Sequence, residues 1–193
     1  MDLMRLLKDQ LNNPNVLAQL GKSVGADTDQ VSKLTQLGLP AMLEGLTQNT
    51  RTPEGAESLA AALDQHKDDG VDDLEGFMNK VSRKDGAKIL NHVFADKNNQ
   101  VKKTLAKETG LKKGQVSGLL TQLALVLLGA LGNQKKEENM DAGGIASLLP
   151  SLGSLLGGAS SSGGLAGITN ILDADKDGDI VDDIKGFLGK IMK

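Results

Sequence analysis

The sequence contains no cysteine, tryptophan or tyrosine, and only three of its 193 residues are phenylalanine. Without cysteine the chain can form neither a disulfide framework nor a thiolate zinc site. The apolar residues are mainly Leu, Ala, Val, Ile and Met, without the aromatic and β-branched enrichment that is typical of strands. These absences predict an all-α protein.

Long hydrophobic runs are also missing. The longest apolar run, residues 123–131, has nine residues, whereas a helix that spans a bilayer needs about 20. The first eleven residues are amphipathic and do not place a basic region before an apolar one, so no signal peptide is evident. We therefore expect a soluble, cytoplasmic protein without a membrane span.

Helix signals occur along the whole chain. Thr52 followed by Pro53 is a helix start, with a capping residue before a proline at the first helical position. Thr28 or Asp29 is suited to cap another helix. Residues 119–131 are apolar on nearly all sides, which predicts a central, buried helix.

An internal duplication relates the two halves of the chain. Residues 25–46 match residues 110–131 at an offset of 85, and residues 71–81 match residues 181–191 at an offset of 110. Such a period is too long for a solenoid repeat. The sequence predicts two diverged copies of one helical unit, with helix-turn-helix-like elements, packed as a duplicated bundle.

The copies are residues 1–81 and residues 86–193, and the second contains an insertion at 142–167 that is rich in Gly, Ser and Leu. Its leucines keep helical spacing, whereas residues 157–164 have the composition of a flexible linker. Two interpretations are open. The insertion is a lid over the core of its own chain, or it is an apolar surface through which the protein forms a homo-oligomer.

The most specific motif is an EF-hand-like loop at residues 173–184. Aspartates occupy positions 1, 3 and 5, a glycine follows at the sharp turn, and a further aspartate can offer its carbonyl at position 7. So many carboxylates repel each other unless a cation lies between them, and oxygen ligands favour Ca²⁺ over zinc. The sequence predicts a calcium site. Its ligands are Asp173, Asp175, Asp177, Asp179 and Asp183.

The loop departs from the EF-hand pattern at position 12, where Ile184 replaces the bidentate glutamate. A metal-free acidic turn that starts the next helix is therefore the alternative. Copy one contains a related segment, residues 64–70, with His66 in place of Asp175. Whether that segment binds an ion stays open at this point.

A second signal is the spacing of Ala106, Gly110 and Val116, which is typical of a helix-turn-helix and recurs in copy one. Residues 81–139 carry a net charge of +6, which suits a phosphate-facing surface. A nucleic-acid-associated protein is thus the alternative function, although the second helix offers no arginine for base edges. The lysines of this segment include Lys97, Lys102, Lys103, Lys107, Lys112 and Lys113.

Catalytic motifs are not evident. The two histidines, His66 and His92, lie in different copies and have no nucleophile motif beside them. We expect a protein that is not an enzyme and that has no small-molecule substrate.

Several segments together resemble the bacterial YidB-like family, which is catalogued as a domain of unknown function. The resemblance implies an all-α bacterial protein with a homeodomain-like arrangement of helices, and it implies no activity. We interpret the protein as a non-enzymatic structural or interaction module that contains a calcium loop and self-associates. The segments that carry the resemblance are residues 52–55, 63–66, 89–94, 115–117 and 128–131 and the Asp-rich ending.

Overall fold

The leucine-rich stripes of the sequence form helices in the computed structural model, which describes residues 13–69, 71, 76–77, 83–157 and 168. These residues contain no β-strand, and the all-α prediction is confirmed. The elements are α1 Pro14–Val24, α2 Thr28–Asn49, α3 Pro53–His66, α4 Arg83–Phe94, a 3-10 turn Ala95–Lys97, α5 Asn98–Thr109, α6 Lys113–Glu137 and α7 Ala142–Gly157.

The start of α2 differs slightly from the prediction. The capping residue is Asp27, one or two residues before the expected Thr28 or Asp29. Its Oδ1 accepts a hydrogen bond from the Gln30 amide at 2.8 Å, and the Gln30 side chain accepts one from the Asp27 amide at 3.4 Å. This reciprocal capping box satisfies two helix-end amides, which neither alternative cap does here.

The predicted start of α3 is confirmed. Thr52 is the capping residue and Pro53 is the first helical residue. The Thr52 hydroxyl accepts a hydrogen bond from the Gly55 amide at 3.1 Å. A proline is well placed here because the first amide of a helix has no partner within the helix.

The centre of the fold is α6, as the sequence predicted. Residues 119–132 are all buried, and the helix packs against α1, α2, α3, α4 and α5. By length and composition α6 is also apolar enough to cross a membrane, but 78% of its most apolar window is buried inside the protein. Such burial is typical of a core helix. The cytoplasmic location stays a prediction.

The first half of the predicted insertion is a core helix. Ile145, Leu149 and Leu152 are at most 4% exposed in α7, which packs against α2 and α3. The expectation that this apolar stripe forms an exposed surface for self-association is therefore wrong for residues 142–153, because α2 and α3 cover it. Residues 158–167 lie outside the described residues.

Two pairs of consecutive helices are joined by short turns that contain a glycine. A turn at Gly25 joins α1 to α2, and a turn at Gly110 joins α5 to α6. Each long helix also contacts two shorter helices from the other half of the chain. α2 packs against α5 and α7, and α6 packs against α1 and α3. These contacts bring the end of α3 onto α6.

Candidate functional site

The predicted calcium ligands Asp173, Asp175, Asp177, Asp179 and Asp183 all lie outside the described residues. Within residues 13–69 and 83–157 and the few other described positions, no three His, Cys, Asp or Glu side chains are placed to hold a metal ion. The calcium site therefore stays a prediction. The described segment that the sequence aligns with the start of this loop is residues 64–69.

That segment follows α3 and lies on two glycines of α6. A Cβ atom on Gly132 would be 2.7 Å from the carbonyl oxygen of Leu63, and one on Gly129 would be 2.5 Å from Cγ1 of Val71. The side chain of Val71 is fully buried. The two glycines thus allow the end of α3 and the following residues to approach the α6 backbone closely.

The acidic groups of residues 64–69 are paired with side chains from α6 and from the segment itself. Nζ of Lys135 lies 2.6 Å from Oδ1 of Asp64, and Nζ of Lys136 lies 2.5 Å from Oδ1 of Asp68. Nδ1 of His66 lies 2.7 Å from a carboxylate oxygen of the neighbouring aspartate at position 69. The lysine hydrogen bonds lower the pKa values of the Asp64 and Asp68 carboxyls from their ordinary value of 3.8.

A groove of about 420 Å³ opens at the surface between α3 and α4. Buried apolar side chains form its floor, including Leu46 of α2 and Leu128 of α6. Exposed polar side chains line its sides. No local pattern in the sequence predicts this groove, because its walls come from helices that are distant in the chain. The polar lining residues are Ser58, Gln65, Lys88 and His92.

Within the groove, Oγ of Ser58 lies 3.5 Å from Nε2 of His92. This pair resembles a nucleophile and a general base in spacing, but Ser58 lies inside α3, where helix hydrogen bonds occupy the amides that an oxyanion would need. The described residues that line the groove include no carboxylate to orient His92. The groove is better suited to binding apolar surface than to acyl transfer.

The helix-turn-helix-like hairpin is formed by α5 and α6, but α1 covers part of its second helix. Nε2 of Gln115 donates to the carbonyl oxygen of Gly25 at 2.6 Å, and a Cβ on Gly118 would be 2.8 Å from Cγ1 of Val24. In a helix-turn-helix complex the N-terminal residues of the second helix contact base edges, and α1 covers part of that end of α6. Burial also lowers the pKa of Lys102, which is one of the six predicted phosphate-facing lysines.

Comparison with known proteins places this chain in a family. Neither the curated proteins nor the solved structures contain a match to the chain. A family model described as "Bacterial protein of unknown function (DUF937)" matches residues 5–134, which include α1 to α5 and nearly all of α6. This match covers more than half of the chain and confirms the resemblance seen in the sequence. The chain therefore belongs to the DUF937 family of bacterial proteins of unknown function.

Proposed function

We propose that this protein is a non-enzymatic interaction module that binds Ca²⁺ through residues 173–183 and self-associates. The observation that carries the calcium proposal is the spacing of Asp173, Asp175 and Asp177 before Gly178. Without the closing glutamate the affinity is lower than in a calcium sensor, on the order of 10⁻⁵–10⁻³ M. One ion per chain is expected.

Calorimetry with and without two ligand substitutions tests this proposal. Asp173→Ala plus Asp175→Ala should remove the heat of calcium binding. Asp182→Ala is the matched control, since it removes a carboxylate that belongs to the same segment but is not among the predicted ligands. The absence of any heat with the unchanged protein at millimolar calcium would show that the loop is a metal-free acidic turn.

We also propose that the bundle is an internal duplication. The helix ends support this proposal, because α1 and α5 end at equivalent residues and α2 and α6 begin at equivalent residues at the offset of 85. Both turn glycines are left-handed, with φ of 69° at Gly25 and 73° at Gly110. Gln30 and Gln115 each hydrogen-bond the backbone amide of the residue before their own helix.

In this proposal α7 is the counterpart of α3 rather than part of an insertion. The cap of α7 is Asp141, whose Oδ1 accepts a hydrogen bond from the Gly144 amide at 2.8 Å. Thr52 and Gly55 form the same contact at the start of α3. At this offset of 89, Leu63 coincides with Leu152, and both are buried. The insertion of copy two then begins after residue 152.

The groove between α3 and α4 supports the interaction part of the proposal, with a second copy of this chain as the partner. A concave site with an apolar floor and a few polar side chains at its sides is typical of binding sites. Ala61 lines the groove and is exposed, whereas Ala87 is exposed on α4 outside it. Ala61→Glu should reduce the mass measured by light scattering after size exclusion, and Ala87→Glu should not. A monomer at high concentration, with calcium present, contradicts self-association.

Nucleic-acid binding is the second candidate, and the observation that favours it is the exposed pair Lys112 and Lys113 at the start of α6. We rank it lower because Gln115 and Gly118 face α1. We expect no duplex binding at physiological salt. Micromolar binding that is lost in Lys112→Glu plus Lys113→Glu would reverse the ranking.

A further inference from the structure

The residues of copy one that correspond to the predicted calcium ligands already have partners. Aligned at an offset of 109, positions 1, 3 and 5 of the calcium loop are occupied by Asp64, His66 and Asp68. Lys135 of α6 pairs with Asp64, and Lys136 pairs with Asp68. His66 contacts the carboxylate three residues further along the chain. None of the three is therefore available to an ion without breaking a contact.

The charges of this segment are balanced by those lysines. Residues 64–69 contain three carboxylates and one lysine, Lys67. The ammonium groups of Lys135 and Lys136 bring the cations to three as well. Residues 173–183 contain six carboxylates and only one lysine, which leaves a large negative excess in copy two.

We propose that Lys135 and Lys136 take the place of a divalent cation in copy one, so that residues 64–69 form a metal-independent version of the loop. This inference rests on the proposed function, because it treats Ca²⁺ as the partner of the loop in copy two. In this view residues 64–69 bind no ion, and each chain has one calcium site.

The fold explains why the lysines reach the segment. Gly132 lets the end of α3 lie against the backbone of α6. Lys135 and Lys136 follow Gly132 by three and four residues, so they lie on the same face of the helix. The side chain of Lys135 is only 13% exposed, which fixes the position of its ammonium group.

The lysine pair is not repeated in α2. At the offset of 85 its counterparts are Thr50 and Arg51. Thr50 is buried, and its hydroxyl donates to the carbonyl oxygen of Thr47 at 3.0 Å. The duplication thus offers a single cation just after the end of α2, whereas α6 offers two, which agrees with a metal requirement in copy two alone.

The test is a calcium titration of full-length chains that lack the copy-two ligands through Asp173→Asn, Asp175→Asn and Asp177→Asn. With both lysines present, no binding is expected up to about 10 mM calcium, well above the range of weak sites. Adding Lys135→Gln plus Lys136→Gln should create binding with a Kd on the order of 10⁻³ M. The gain should disappear again when Asp64→Asn and Asp68→Asn are added.

Two controls make the outcome specific. Lys112→Gln plus Lys113→Gln removes two consecutive exposed lysines at the opposite end of α6 and should create no binding. Lys135→Arg plus Lys136→Arg keeps both charges and should also stay metal-free. Binding while the lysines are present, or no gain after their removal, overturns the inference. Failure of the proposed calcium function gives a different result. The heat of calcium binding is then the same for the unchanged protein and for the variant that lacks the three copy-two aspartates.

Discussion

A methyl group at position 132 has no space between α6 and the end of α3. An ideal Cβ on Gly132 lies 2.7 Å from the carbonyl oxygen of Leu63, 3.0 Å from the amide nitrogen of Lys67 and 3.1 Å from the carbonyl carbon of His66. All three are backbone atoms, so no side-chain rotation relieves the contact. Gly132→Ala should therefore push the two helices apart at the place where residues 64–69 are held.

Two opposing terms set the size of the effect. Alanine is better than glycine inside a helix by about 1 kcal/mol, whereas overpacking a close contact costs about 1–3 kcal/mol. Gly114→Ala is the matched control, because Gly114 is exposed on the same helix and has no atom within 4 Å of the added Cβ. The control should be neutral or stabilised by up to about 1 kcal/mol. The difference between the two variants isolates the cost of the contact, about 1–3 kcal/mol.

Urea unfolding followed by circular dichroism measures this difference. Equal slopes of the free energy of unfolding against urea would show that the variants unfold from comparably compact states. For a chain of this length, each kcal/mol should also separate the melting temperatures by roughly 2–4 °C. Equal stabilisation by Gly132→Ala and Gly114→Ala would refute the close approach of α3 to α6.

Three further predictions concern burial, backbone conformation and charge in the bundle. Leu149→Ala should lower the free energy of unfolding in urea by about 2–5 kcal/mol, because Leu149 is fully buried in α7. Gly110→Ala should cost about 1–2 kcal/mol, since φ is 73° there, and Gly110→Asn should cost less. The hydrogen bond from Lys135 lowers the pKa of the Asp64 carboxyl. The stability that this ion pair contributes is therefore present above pH 3.8 and is lost as the pH falls through the lowered pKa. The stability difference between the unchanged protein and Lys135→Gln should accordingly vanish in strong acid.

Local signals were enough to predict much of the helical framework. A proline after Thr52 and an all-round apolar segment at 119–131 each specify a helix through neighbouring residues alone, and both predictions are confirmed. The exact start of α2 does not follow from the capping residues alone, because Asp27, Thr28 and Asp29 are all suited to cap a helix. The choice is made by Gln30, which completes a capping box only with Asp27.

The position of α7 and the surfaces around α6 depend on contacts between distant residues. An apolar stripe with small residues beside it is compatible with a lid or with an oligomer interface. The lid interpretation is correct for Ile145 and Leu149, because α2 and α3 leave an apolar face that α7 covers. Lys135 and Asp64 are 71 residues apart, and no local pattern in the sequence pairs them.

The contacts between helices of the two halves of the chain also predict that neither half is a stable monomer alone. In residues 1–81, α2 would lose its contacts with α7, α5 and α6, and in residues 86–193, α6 would lose α3 and α1. Leu43 and Leu128, which are nearly or fully buried in these long helices, would have to associate or remain in water. Each half should therefore be unfolded or self-associated, as measured by circular dichroism and light scattering, and mixing the two should restore a 1:1 complex with cooperative unfolding. A separately expressed half that is monomeric and unfolds cooperatively would contradict this dependence.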